Sequence, residues 1–279
     1  MTESVDRLDA LLQRFSVTAR MFHAGALCGI TEYPATPDVG QLHLIRRGPV
    51  QAQHGSRRRE DIEVPSVVFY PRPLRHKFIT DKRSGADLAC AHVLFNAAAI
   101  NPIAQALPAV VVMPLTDIDG ADSLLEGLFR EAFTQQCGRR HIVNRLFEVV
   151  LILIVRTLMN RGDVAHGMLA GMSHPRLARA LIAMHEAPGS NWTLDELANR
   201  AGMSRSHFAA TFHDVVRTPP GDYLLHYRIS VVQDLLRRGE SLKNIAGAVG
   251  YGSTAALSRA FSGVAGKSPR EWRAALEAS

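Results

Sequence analysis

Cysteine is scarce in this sequence, and no two cysteines stand close together. The 279 residues include three, Cys28, Cys90 and Cys137, and none belongs to a Cys-x-x-Cys pair. This usage argues against a structural zinc cluster and is typical of proteins kept in a reducing compartment. Long apolar runs are missing too, because the longest, Val149 to Val155, is far too short to span a bilayer.

The first fifteen residues lack the apolar core of a secretory signal. They carry Glu3, Asp6 and Asp9 instead. Their apolar residues fall on one face of a helix: Val5, Leu8, Leu11, Leu12 and Phe15. We therefore expect a short N-terminal helix in a cytoplasmic protein that has no membrane partner.

Motifs of known catalytic centres are absent as well. The sequence has no glycine-rich phosphate loop, no Gly-x-Ser-x-Gly and no His-Glu-x-x-His, and its twelve histidines are scattered. Apolar residues make up 47% of the chain and charged residues 21%, which is typical of a globular protein, and the length suits two domains. We predict a protein that is not an enzyme and needs no cofactor.

Positive charge is concentrated towards the C-terminus. The net charge is +6, and from His174 onward 13 Lys or Arg residues face 9 Asp or Glu residues. An excess of this sign is what a nucleic-acid-binding region requires, although it is small.

The same C-terminal region contains one pattern twice. A hydroxyl residue suited to cap a helix, Thr193 or Ser241, opens each copy. A short helix follows, then a glycine, Gly202 or Gly250, that suits a tight turn. A second serine cap and a second helix with apolar residues four positions apart complete each copy. Helix, glycine turn and helix are the signature of a helix-turn-helix, and two copies about 50 residues apart make the signal specific.

Four short stretches carry a resemblance to a known family. They are Trp192-Thr193-Leu194, Ala201-Gly202-Met203-Ser204, Gly250-Tyr251 and the closing Gly266-Lys267-Ser268-Pro269-Arg270-Glu271-Trp272-Arg273. Over about the last 105 residues the chain resembles the DNA-binding domain of the AraC family of bacterial transcription regulators. The resemblance implies an all-α double helix-turn-helix domain at residues 174–279, with double-stranded DNA and RNA polymerase as partners.

The register of the two second helices predicts the DNA contacts. Phe208 and Phe212 point inward from the first, and Leu257 and Phe261 from the second. Arginine, serine, threonine and alanine on the opposite faces can read base edges, while caps and lysine can contact phosphates. The predicted contacts are Ser204, Arg205, Ser206, His207, Ser253, Thr254, Ala255, Ser258, Arg259 and Lys267.

The pattern of residues 20–95 predicts short strands separated by proline, glycine and charged residues. Several short strands at this spacing indicate a small barrel or sandwich. The predicted strands are Gln41–Arg46, Val50–Gln53, Asp61–Val64, Ser66–Tyr70, His76–Thr80 and Leu88–Phe95. The stretch 65–78 resembles the second motif of cupin barrels through Pro71 and His76, although both motif glycines are replaced, and the first cupin motif is not visible. The resemblance implies a cupin-like fold. We predict no metal; if one binds, His76 with His92 or His43 would hold it.

Residues 114–160 read as helices with broad apolar stripes. In the family's architecture such helices commonly pair two subunits, so the resemblance implies a homodimer. Gly162, Gly167 and Gly171 predict a linker without helix between the two halves. The predicted fold class is thus α+β with two domains: a cupin-like sensor and dimerisation domain with following helices at 1–165, and the double helix-turn-helix domain at 174–279.

Cys28 and Cys90 are placed like the paired cysteines of a cupin-bearing AraC subgroup that includes the reactive-chlorine sensors. That resemblance implies that the two lie close together and form a disulfide on oxidation; as alternatives, they are two small buried residues. The predicted function is a sequence-specific transcription regulator, an activator in one reading, whose cupin-like domain senses a small molecule or an oxidant. The alternative is a cupin enzyme or small-molecule carrier with an appended DNA-binding domain.

Overall fold

The computed structural model describes residues 6–56, 58–95 and 101–277. They form two compact units. Among the described residues, the sheet unit contains 17–56, 58–95 and 107–163. The helical unit contains 6–16, 101–106 and 164–277. Neither unit is continuous in sequence, whereas the predicted domains were. The functional domains 1–165 and 174–279 therefore stay a prediction.

The sheet unit consists of two antiparallel sheets. Their orders are β1-β8-β3-β6-β9 and β2-β7-β4-β5. The strands are β1 (Val17–Leu27), β2 (Ile30–Tyr33), β3 (Gly40–Arg47), β4 (Val50–His54), β5 (Arg58–Ile62), β6 (Ser66–Tyr70), β7 (His76–Ile79), β8 (Ala86–Phe95) and β9 (Val111–Pro114). Side chains from both sheets, among them Ile45, Val68, Phe78 and Leu88, share one apolar core.

The six predicted strands are all present, although the third is shifted. The pattern predicted Asp61–Val64, and the strand β5 occupies Arg58–Ile62. Strands β1, β2 and β9 were not predicted. In β1 the pairing register with β8 shifts between Met21 and His23, so a bulge interrupts the alternation on which a strand prediction depends.

Two helices complete the sheet unit. A 3₁₀ turn at Leu115–Asp117 precedes α3 (Asp122–Phe133) and α4 (Arg139–Arg161). Helix α4 runs beside the free edge of β1. Its Asn144 accepts a hydrogen bond of 2.8 Å from the Met21 N–H, and Glu148 accepts one of 3.2 Å from the Ala19 N–H. These side chains satisfy backbone donors that an edge strand would otherwise leave open.

The helical unit contains α1, α2 and all helices from α5 onward. They are α1 (Asp9–Arg14), α2 (Pro102–Ala106), α5 (Met168–Ser173), α6 (Leu177–Glu186), α7 (Leu194–Ala201), α8 (Arg205–Val216), α9 (Pro220–Arg237), α10 (Leu242–Ala248), α11 (Thr254–Ala265) and α12 (Pro269–Glu277). The sequence predicted an all-α domain over residues 174–279, and α6 to α12 lie in that range. Within the described ranges, no helix combines the length and the apolar character needed to cross a membrane.

The expected linker without helix is wrong, because α5 forms there. Gly171 lies inside α5 and brings it close to its neighbours: a Cβ at this position would be 2.6 Å from Leu181 Cδ1 and 3.0 Å from Val216 Cγ2. This glycine therefore permits close helix packing where the sequence pattern indicated a break. A fragment that starts at residue 174 lacks this packing, so the full chain is the proper material for binding experiments.

The second turn of the duplicated pattern depends on a different glycine. Gly250 has a φ of +81°, and a Cβ there would lie 2.2 Å from the Gly189 carbonyl oxygen. Both the backbone angle and the close backbone approach exclude a side chain.

We predict that Gly250→Ala lowers the free energy of unfolding of the helical unit by about 2 kcal/mol or more. Both tryptophans, Trp192 and Trp272, lie in this unit, so tryptophan fluorescence during urea unfolding reports on it alone. The matched control is Gly252→Ala, whose Cβ meets nothing within 4 Å. Equal midpoints for the two variants would contradict the role of Gly250.

Candidate nucleic-acid interface and barrel core

Helices α7 and α8 form the first helix-turn-helix. The Thr193 side chain caps α7 in a capping box with Glu196, as the sequence predicted, and the α7 helix ends at Gly202 with a φ of +64°. The Ser204 hydroxyl then accepts from the His207 N–H and starts α8. Phe208 and Phe212 are fully buried below it.

Helices α10 and α11 form the second helix-turn-helix in the same way. The Ser241 hydroxyl caps α10 by accepting from the Asn244 N–H, and the Ser253 hydroxyl caps α11 by accepting from the Ala256 N–H at 3.1 Å. Leu257 and Phe261 are fully buried. The two helix-turn-helix pairs therefore have equivalent caps and equivalent inward residues.

Most of the predicted DNA contacts lie at the solvent-facing start of α8 and α11, whereas Ser258 and Arg259 lie in the middle of α11 and Lys267 lies after its end. Exposed among them are Ser204, Arg205, Ser206, His207, Ser253, Thr254, Ala255, Arg259 and Lys267, while Ser258 is half-buried. Arg205 forms an ion pair with Asp195 at 3.3 Å, and both side chains are about two-thirds exposed. A pair this exposed contributes little stability, so Arg205 is free to exchange it for another acceptor.

One arginine has a structural role that the sequence did not reveal. The Arg228 guanidinium donates hydrogen bonds to the Pro188 and Ser190 carbonyls, at 2.6 and 2.8 Å, and lies 5.8 Å from the centre of the Tyr251 ring. It ties the start of the first helix-turn-helix to the central helix α9 and to the turn of the second.

The core of the sheet unit contains a histidine pair. His43 Nε2 and His76 Nε2 are 2.9 Å apart, and His76 Nδ1 lies 2.8 Å from the Leu74 carbonyl oxygen. A carbonyl only accepts, so Nδ1 of His76 carries the proton and its Nε2 accepts from the Nε2–H of His43. His43 Nδ1 is then an acceptor; it is buried and has no hydrogen-bond partner among the described residues.

Aromatic rings enclose this pair. The ring of His76 stacks between Tyr70, at 3.7 Å, and Tyr33, at 4.9 Å. Burial lowers the pKa of His76 to about 4, and burial, with the neighbouring His76, lowers the pKa of His43 well below its usual value. Both imidazoles are therefore neutral near pH 7.

The histidines do not fit a three-ligand metal centre. Within residues 6–56, 58–95 and 101–277, no three histidine, cysteine or acidic side chains converge. Of the residues considered for a metal, His43 and His76 meet each other, while His92 stacks on Phe22 at a ring distance of 4.3 Å.

The expected proximity of Cys28 and Cys90 is wrong. Leu27 pairs with Ala86 and His23 with Cys90, so Cys28 lies beside Gly85, five residues along β8 from Cys90. At roughly 3.3 Å per residue, this separates the two cysteines by about 16 Å, far beyond the reach of a disulfide. Cys90 is fully buried, and burial raises the pKa of its thiol, so its histidine neighbours do not activate it.

One cluster of three basic side chains was not singled out from the sequence. Arg139, Arg140 and His141 form the first turn of α4 and line a cavity with the bulged part of β1. The run of three basic residues was visible in the sequence, but its neighbour in space was not, because β1 was not predicted.

Comparison with known proteins gives two family matches. A family model described as Cupin matches residues 6–160, more than half of the chain, and one described as Helix-turn-helix domain matches residues 197–275. The two matches cover most of the sheet unit and most of both helix-turn-helix pairs.

Three curated relatives are similar to this chain. An AraC-like transcription regulator of Streptomyces antibioticus is 37% identical over 60% of this chain and 56% of its own. The transcriptional regulator AlkR of Acinetobacter baylyi is 34% identical over 62% of this chain and 58% of its own. The RCS-specific transcriptional activator RclR of Escherichia coli is 32% identical over 52% of each chain.

These alignments span little more than half the length of each relative. The family itself is nevertheless clear, because the cupin model matches more than half of the chain. The chain belongs to the cupin family, and a helix-turn-helix domain follows its cupin domain.

Proposed function

We propose that this chain is a sequence-specific DNA-binding transcription regulator. The observation that carries the proposal is the two helix-turn-helix pairs, which have equivalent caps and equivalent inward residues and expose polar side chains at the start of α8 and α11. The relatives named as transcription regulators support it. A cupin enzyme or small-molecule carrier with an appended DNA-binding domain is the weaker alternative, since these relatives are named as transcription regulators and the histidine pair does not suit a metal centre.

In this proposal α8 and α11 enter successive major grooves. Their exposed arginines, Arg205 and Arg259, donate to guanine edges, and the small residues Thr254 and Ala255 contact thymine methyl groups. Lys267 and the N–H groups at the two helix starts hold phosphates. Helix α9 has 18 residues and a length of about 27 Å, which suits a spacer between sites one DNA turn apart. Contact with RNA polymerase stays a prediction.

The sheet unit is the proposed sensor. The effector we propose is a small molecule, because the two cysteines that would form an oxidant-driven disulfide lie too far apart. Whether the full sensing domain occupies residues 1–165 stays part of the proposal.

We also propose that α4 pairs two copies of the chain. Ile142 and Val149 are among the most exposed large apolar residues, at 43% and 44%, and Leu146 and Leu153 are half-buried. Their spacing of four, three and four residues is that of an a/d seam in a coiled coil. A second α4 helix with the same seam, related by a two-fold axis, is the matching occupant.

Substitution of the recognition arginines tests the DNA proposal. The test uses the DNA that the full chain selects from a random library. On this DNA, Arg205→Ala and Arg259→Ala should each weaken the free energy of binding by about 1–3 kcal/mol. Each should relax base preference at its own position, with the two positions about 10 base pairs apart. Lys267→Ala should weaken binding to all DNA sequences alike and reduce the salt dependence of binding.

The control is Arg59→Ala, which removes an exposed arginine from the sheet unit and should leave affinity and preference unchanged. A uniform loss for Arg205→Ala and Arg259→Ala, without a change of preference, would show that these arginines contact only phosphates.

The dimer proposal predicts that Val149→Lys converts the chain to a monomer, because it places a charge in the centre of the seam. Sedimentation velocity gives the mass directly. Arg59→Lys, an exposed change on β5 rather than on α4, should leave the dimer intact. A wild-type chain that sediments as a monomer at tens of micromolar would refute the pairing.

A further inference from the structure

A basic cavity lies between β1 and the start of α4, outside the shared core of the two sheets. It has a volume of about 540 Å³ and is lined by Met21, Phe22, His23, Ala24, Gln136, Gly138, Arg139, Arg140 and His141. Two arginines and two histidines are therefore present, and no carboxylate is among these lining residues. Two other cavities of similar volume contain acidic side chains: Asp122 and Glu126 in one, and Asp9, Glu186 and Asp234 in the other.

The arginine donors of this cavity are incompletely used. Arg139 donates through one terminal nitrogen to the Ala132 carbonyl, while its Nε is buried without a hydrogen-bond partner among the described residues. Arg140 is exposed at the rim. A buried guanidinium N–H that lacks an acceptor costs free energy, so this side chain favours an acceptor from outside the chain.

The backbone adds to the same preference. Helix α4 begins after Gly138, a residue without a capping side chain, and its first turn contains no acidic residue. Carboxylates normally stabilise this end of a helix, whereas here two arginines repel its partial positive charge. A bound anion would relieve that repulsion and accept from the arginines at once.

One wall of the cavity is apolar and aromatic. The bulge in β1 lies at Phe22, which is 38% exposed although its ring stacks on His92. Met21 and Ala24 flank it. A ligand that bears only charge would leave this wall in water, so the lining favours a molecule with one anionic end and a small apolar body.

We propose that this cavity binds a small organic carboxylate, with the carboxylate held by Arg139 and Arg140 and the apolar body placed against Phe22 and Met21. The claim that this cavity is the effector site of the sheet unit rests on the proposed function, whereas the binding of the carboxylate does not.

Calorimetric titration of the full chain, without DNA, tests the assignment. The probe is 3-phenylpropionate, compared with 3-phenylpropanol and 3-phenylpropylammonium, which keep the apolar body and change the charge. Saturable binding of the carboxylate alone is expected. Arg140→Gln should raise its Kd at least about tenfold, because a charge-assisted hydrogen bond is lost. Arg140→Lys should recover part of the loss.

Arg156→Gln is the matched control, since it removes an exposed arginine of the same helix that does not line the cavity. Its Kd should equal that of the wild type. Equal binding of the alcohol and the carboxylate, equal Kd values for Arg140→Gln and Arg156→Gln, or no saturation below about 10 mM would each overturn the assignment, since 10 mM is weaker than the affinities expected of a specific site.

DNA binding is measured separately on the same preparations. A chain that binds DNA but not 3-phenylpropionate overturns only the carboxylate site. A chain that binds 3-phenylpropionate but no DNA overturns the proposed function and leaves the cavity's chemistry intact.

Discussion

Both helix-turn-helix pairs pack on one central helix, α9, and their geometry depends on it. Phe212 of the first pair meets Tyr223 of α9 edge-on, at a ring distance of 5.6 Å. At the end of α9, the Arg237 guanidinium lies 5.0 Å from the centre of the Trp272 ring of α12, and that ring meets Phe261 of the second pair edge-on at 6.0 Å. The helix buries even polar residues, among them Ser230, Gln233 and Asp234. A helix held on so many sides is a rigid spacer, which is what two recognition helices on one DNA face require.

The N-terminal helix belongs to the same packing. The ring of Phe15 is fully buried and meets Tyr227 of α9 edge-on at 5.9 Å, and Arg238 donates to the Arg14 carbonyl. Two residues after Phe15, the chain enters β1, the strand that carries the bulge and one wall of the basic cavity. The chain thus passes directly from a helix packed on α9 into the strand that would meet the proposed ligand.

Much of the helical unit could be predicted from the sequence because its signals are local. The caps at Thr193, Ser204, Ser241 and Ser253 are short-range contacts, and all four are present. Helix α5 was missed because Gly171 serves a packing contact with distant residues, which composition cannot distinguish from a linker.

The sheet unit was harder to predict because its site depends on strand register. The family resemblance implied that Cys28 and Cys90 lie close together, but the pairing of Leu27 with Ala86 shows how far apart they are. His43 and His76 were both named as possible metal ligands, and their meeting is a contact between different sheets. The basic first turn of α4 also depends on a distant neighbour, the strand β1. That strand contains a bulge, which interrupts the alternation of side chains by which a strand is predicted.

The central claim is that one copy of the chain reads two sites on one face of DNA through α8 and α11. Hydroxyl-radical footprinting on the selected DNA tests it most directly. The account predicts two protected windows per bound copy, about 10 base pairs apart on one face. Insertion of 5 base pairs between them should abolish protection of one window, because the fixed length of α9 cannot follow the half turn. A single window, or a footprint that tolerates the insertion unchanged, would contradict the account.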